Sequence, residues 1–183
     1  TKIACIVGEK MPNGKIEIRG YGKTDSTGVK RGIVVNIEET VDAIKSAVAQ
    51  ASEQSKVDIK SVSVGIVGHH IKSIQHRGTL IRENSDIEIS DKELDKLRLD
   101  MFKLRTAPGE EIVNVIPQEY FVDGEAVGSR RPKGMLGSTL EANFHIIVGQ
   151  TSAVKNIILC IEHAGLEMEN MILEPIASAA SVL

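Results

Sequence analysis

The chain has 183 residues, a formal net charge of −3, 42% apolar residues and two cysteines. Such a length fits one domain or two small ones with a real core, and the charge argues against a nucleic-acid binder, which carries a basic excess on one face. Cys5 and Cys160 stand far apart without C-x-x-C spacing, so neither a disulfide framework nor a zinc site is expected and a reducing cytosol fits; neither a signal peptide nor an apolar run of about 18 residues is recognisable.

Two strand-like runs open the chain, KIACIVGE and KIEIRGY. The Pro12-Asn13-Gly14 between them is turn chemistry, which predicts an antiparallel hairpin. A loop rich in Gly, Thr, Ser and Asp leads to Gly32. In NIEETVDAIKSAVAQASEQ, Ile37, Val41, Ile44, Val48 and Ala51 share one helical face, and Asn36 with Glu39 resembles a capping box. SVSVGIV is a short apolar run that suits a buried strand, and HHIKSIQHRGTLIR reads as a longer, half-exposed one. Ser90 and Glu93 make a second capping box, for DKELDKLRLDMFKL, whose Leu94, Leu97, Met101 and Leu104 form a buried stripe.

VNVIPQEYFVDG has strand composition with Pro117 in its middle. Proline cannot donate to a ladder, so Pro117 is expected at an edge or a bulge. Val113 and Val115 share one face, Ile112 and Ile116 the other, and Tyr120 and Val122 continue the second, which implies a face change at Pro117. A Gly/Pro-rich loop and the strand LEANFHIIVG follow. Thr151 or Ser152 then caps a helix with Val154, Ile157, Ile158 and Ile161 inward, and Gly165 ends it in a left-handed cap with Leu166 just beyond. EMENMILEP holds a short strand, and a last helix starts at Pro175. The order is ββαβ, an inserted β-α-β-β module, then αβα. The flanks, 1–69 and 150–183, are expected to close into one α/β domain from which 70–149 projects.

Catalytic motifs are missing: there is no G-x-S-x-G, P-loop, H-E-x-x-H or G-x-G-x-x-G after a strand. His69 and His70 would point to opposite sides of a strand, and His76, His145 and His163 lack partners at ligand spacing, so structural or surface histidines are expected. The basic clusters Lys30-Arg31 and Arg130-Arg131-Lys133 read as solvated loops. The residues alone describe an α/β domain with an insertion, a binding or assembly module.

Three stretches carry a resemblance. NVIPQEYFVDG looks like the Pro-Gln-Glu-Tyr strand of the FtsA family of bacterial cell-division proteins, GMLGSTLEANFHIIVGQTSAVKNI resembles its next strand and helix, and AGLEMENMILEPIASAASVL is similar to its return into the main domain. Upstream, TKIACIVGE, VKRGIVVNIEETVDAI and SVSVGIVGHHI fit in order. The resemblance implies an actin-like (ribonuclease H-like) fold and a peripheral protein on the cytoplasmic side of the inner membrane. Such a protein self-associates, binds ATP with Mg, and tethers the FtsZ ring. Residues 1–69 and 150–183 would be parts of subdomain 1A, and 70–149 would be subdomain 1C, which serves protomer contacts and later division proteins.

Of the family's first phosphate loop only Thr1 and Lys2 remain, and the second would follow Leu183, so the chain is expected to be a fragment that binds no ATP itself. FtsZ contacts and the membrane helix would lie outside it. A strand preceding Thr1 would sit at the centre of the 1A sheet; its loss would expose the edge of KIACIVG, to be repaired by dimerisation, swapping or re-pairing. No catalytic residue is expected. Arg77, Arg82, Arg98 and Arg105 of the insertion are the candidate partner-binding charges. The alternatives are a pilus-assembly actin-like scaffold and the front half of an actin-fold small-molecule kinase. The second would need a catalytic base among Asp58, Asp86, Asp91 and Asp123.

Overall fold

A computed structural model describes residues 2–68 and 70–174. The last helix expected from Pro175, together with His69 and Thr1, lies outside the described residues. Contacts divide the chain into two units, Thr1–His70 with Ser152–Leu183, and Ile71–Thr151.

In the first unit, β1 (Lys2–Lys10) pairs antiparallel with β2 (Ile16–Asp25). The turn between them closes as the Pro-Asn-Gly signal requires, with Gly14 at φ 80° and its N–H donating to the Met11 carbonyl. Two short strands the sequence did not announce, β3 (Val29–Lys30) and β4 (Ile33–Val34), form a tight hairpin through Arg31 and Gly32, both at positive φ. Helix α1 (Ile37–Ser55) packs on β2 so closely that a Cβ on Gly22 would lie 1.9 Å from the Ala47 carbonyl oxygen.

Asn36 caps α1 by accepting from the Glu39 N–H at 3.1 Å, but the box is only half formed. The Glu39 carboxylate instead accepts from Thr27 Oγ1 at 2.6 Å, and the Asn36 N–H goes to the Gly28 carbonyl. Strand β5 (Ser61–Ile66) departs from the buried reading, because Ser61, Ser63 and Gly65 are exposed while Val62 and Val64 are half-buried. Its partner β10 (Glu167–Leu173) runs parallel to it, joining segments a hundred residues apart. Helix α3 (Thr151–His163) begins at Thr151, directly after a strand. It ends with Gly165 at φ 83° and the Leu166 N–H donating to the Ile161 carbonyl, the left-handed cap the sequence predicts. A cluster built on Val41, Ile44, Cys160, Ile161 and Leu166, with Ile3, Val62 and Val64 against it, ties α1 and α3 to β1 and β5.

The second unit holds one more strand than expected. The order is β6 (Ile71–Ile81), α2 (Asp91–Met101), β7 (Glu110–Val122), β8 (Glu125–Gly128) and β9 (Thr139–Gln150). The added β8 folds back through Asp123 and Gly124, a turn with both φ values positive, which the Asp-Gly dipeptide could have signalled. The four-stranded sheet is ordered β6-β9-β7-β8. Helix α2 lays Leu94, Leu97 and Met101 over Leu140, Ala142, Phe144, Ile146 and Val115, and Leu104 joins from the turn after the helix.

Strand β7 explains Pro117. Its register against β9 slips between Ile112 and Asn114 and again between Pro117 and Glu119. Each extra residue flips the alternation. Ile112, Val115, Tyr120 and Val122 thus all join one core despite their mixed parity. The face change expected at Pro117 is there, and a second precedes it. Strand β8 pairs only with Tyr120–Val122, so Pro117 lies where the other side of β7 is open.

Candidate interaction surfaces

In the first unit, among the described residues, β1 is paired only with β2, and β5 only with β10. The free edges of β1 and β5 border one cavity of about 1010 Å³, lined by Lys2–Gly8 on one side and Ser61–Val67 on the other, with Ile44, Ala47, Ile157 and Ile161 of the helices among its walls. It is a slot between two strand edges. The edge of KIACIVG is thus open as expected, and among the described residues the two pairs have not re-paired with each other. Apolar surroundings push the Cys5 and Cys160 thiols, both on the slot wall, above their ordinary pKa. The second surface is the face of the β1–β2 hairpin turned away from α1. Register places Ile6 beside Tyr21 there, and Ile6, Ile16 and Ile18 are 60%, 75% and 66% exposed. An apolar sheet face of this kind is a candidate docking surface.

Lys2 stands at the start of β1, in the slot. The aliphatic side chains that dominate this wall do not fit a triphosphate, whose grip takes converging backbone N–H groups and cations. Among the described residues no cluster of three or more His, Cys, Asp and Glu could hold a metal ion, and no helix is long and apolar enough to cross a membrane.

The four candidate arginines of the insertion do not form one face. Arg82 is interior: its side chain is 1% exposed, and it donates to Glu93 Oε1 at 2.7 Å and to the carbonyls of Gly137 and Ile87 at 2.6 and 2.7 Å. It is a structural clamp, with no free donor face for a partner. Its hydrogen bond, with those from Ser90, holds the Glu93 carboxyl down at about 2, and Glu93 completes the capping box of α2.

Arg77 lies on the sheet face opposite α2, paired with Glu141 at 2.9 Å and stacked 4.0 Å above the Phe121 ring. Arg98 is on α2, donating to the Val115 carbonyl at 3.1 Å, and Arg105 is exposed in the turn after the helix. A lone arginine in a polar loop-flanking run gave no sign of which guanidinium would turn inward; the capping-box glutamate near it was the available hint.

Of the aspartates that a kinase would need, Asp91 and Asp123 are engaged structurally. Asp123 accepts from the Ser138 and Thr139 N–H groups at 2.8 and 2.7 Å, and those backbone bonds lower its pKa. Asp91 pairs with Lys133 at 2.5 Å, whereas Asp58, 3.5 Å from Lys60, and Asp86, which accepts from Ser85 Oγ at 3.4 Å, are exposed.

Residues 68–148 match the family described as the SHS2 domain inserted in FtsA. Along its full length the chain is 36% identical to the cell division protein FtsA of Pseudomonas aeruginosa, 34% to that of Neisseria meningitidis and 30% to that of Escherichia coli K12, of which it covers 43%, 44% and 43%. Among solved structures, a chain of a PilM–PilN type IV pilus biogenesis complex aligns with 98% of this chain and 46% of its own length, at a TM-score of 0.59 and 11% identity, a likeness of fold. The fold is actin-like, the central residues match the domain inserted in FtsA, and the chain is similar along its whole length to FtsA proteins, of which it spans less than half the length.

Proposed function

We propose that this chain is the part of a cell-division protein that carries the inserted domain for self-association and for recruiting later division proteins, joined to an incomplete actin-like body. The observation that carries this reading is the inserted unit itself: a four-stranded sheet with its own core, in the region matched by the FtsA insertion. The slot and the exposed face of the β1–β2 hairpin belong to the same reading. The slot is where the resemblance puts a central strand of a longer polypeptide, which would pair with β1 and β5 at about 4.8 Å spacing from each. The apolar face is a surface for further parts of that polypeptide or for a second copy.

Tethering of the FtsZ ring to the inner membrane belongs to the longer protein, as do ATP and Mg. Nucleotide there acts as a conformational ligand of assembly, and this chain supplies no catalytic group. The pilus-scaffold alternative rests on a fold likeness alone.

Two measurements on the full-length protein test the reading. Depletion from rod-shaped cells gives filaments without septa; normal septation overturns the division role. Charge reversal at Arg98 and Arg105, both exposed, weakens self-association while circular dichroism stays unchanged; unaltered assembly removes those two residues from the contact surface.

A further inference from the structure

The chain crosses from the first unit into the second between His70 and Ile71, and it returns without a loop, Gln150 of β9 being followed by Thr151 of α3. The entry is the irregular crossing. Strand β5 ends at Ile66, and Val67, Gly68 and a turn at His70 carry the chain to β6. Two glycines meet there. A Cβ on Gly32, at the tip of the β3–β4 hairpin, would lie 1.7 Å from the Val67 carbonyl oxygen. A Cβ on Gly68 would lie 2.9 Å from the Arg31 carbonyl oxygen. Each glycine thus lies against the carbonyl that precedes the other, and both hold positive φ, 81° and 146°. A side chain at either place would force the two backbones apart.

The hairpin is tied down at its base. The Val35 and Asn36 N–H groups both donate to the Gly28 carbonyl, at 2.8 and 3.1 Å, and Asn36 caps α1. Thr27, just before it, is bonded to Glu39 of the same helix, and Val34 of β4 shares a buried cluster with Val41 and Ile44 of α1. The tip is therefore carried by the start of α1. A crossing that contains Gly68 has the latitude of a hinge, since a few small residues can absorb a large change of φ and ψ. The interlock with Arg31–Gly32 removes that latitude.

We propose that the β3–β4 hairpin is a latch on the entry to the inserted unit, with Arg31–Gly32 as its bolt and Val67–Gly68 as its seat. Closed, as here, it fixes the entry segment to the start of α1. Open, it frees that segment while both cores stay packed. The latch rests on neither the division role nor the self-association proposed above, so its failure leaves both untouched.

The test is limited proteolysis of the full-length protein with thermolysin, which cuts before large apolar residues and so reads the bonds preceding Val67 and Ile71. The folded parent should resist at both bonds; ready cleavage there overturns the latch. Gly32→Ala should raise cleavage at these bonds at least about tenfold, because the new methyl must displace the Val67 carbonyl. Gly68→Ala, on the other side of the contact, should do the same. Gly14→Ala is the control, since Gly14 holds φ 80° in a turn of the same unit with nothing within 4 Å of an added Cβ. It should leave both bonds at the parental rate. Parental cleavage in both Gly32→Ala and Gly68→Ala, or equal loosening in Gly14→Ala, overturns the proposal. Strand β9 should keep its slow hydrogen exchange throughout; its loss in both crossing variants would make the effect global unfolding and overturn the latch as well.

Discussion

At the scale of single residues, buried polar chemistry and close backbone approaches set the sharpest tests. Arg82 and Glu93 form a clamp in which the guanidinium is buried and each of its three nitrogens donates a hydrogen bond. Removing it as Arg82→Ala strands a carboxylate and two carbonyls, and should cost about 3–5 kcal/mol in chemical denaturation. Glu93 titrates near 2 in the fold against an ordinary 4.5. A depressed carboxyl contributes stability that is complete above its unfolded pKa and is lost as pH falls toward the folded one. Unfolding free energy should therefore drop between about pH 4.5 and 2, and Glu93→Gln should flatten that part of the profile; an unchanged slope in the variant refutes the clamp. Gly22 makes a separate point. A Cβ there would meet the Ala47 carbonyl oxygen at 1.9 Å, so Gly22→Ala should lower stability by about 3 kcal/mol through overpacking.

Among the elements, local signals were strong where they were short-range. The N-cap of α2, the C-cap of α3 and the Pro-Asn-Gly turn are legible because each needs only neighbours within a few residues. The half-formed box at α1 was not, since Thr27 captures Glu39 from outside the helix. Strand β7 shows the other limit: periodicity revealed a face change at Pro117, but the slip at Asn114 appears only against β9. The helix α2 carries the core of its unit, and Leu97, 1% exposed, sits at its centre. Leu97→Ala should cost about 2–5 kcal/mol, read as a lowered unfolding midpoint of the inserted unit, whereas Ser90→Ala should cost about 1 kcal/mol through the lost cap.

For the molecule as a whole, the contrast is between a unit with a closed core and one with open strand edges. Strand β9, paired on both sides, should hold its amide hydrogens longest. Among the described residues, amides of β1 and β5 that face the slot have no strand partner there, and they should exchange orders of magnitude faster than those of β9 in hydrogen-exchange mass spectrometry. Equal protection would mean that the slot is filled. The inserted unit has its own core, so it should stay protected when the slot strands exchange.

Periodicity, caps and turn dipeptides were enough to place α1, α2, α3 and most strands, because these depend on spacing along the chain. The extra strand β8, the inward turn of Arg82, the scattering of the four arginines and the slot were settled by tertiary contacts. Each depends on which distant segment lies alongside, and a strand edge is open or closed only by what pairs with it.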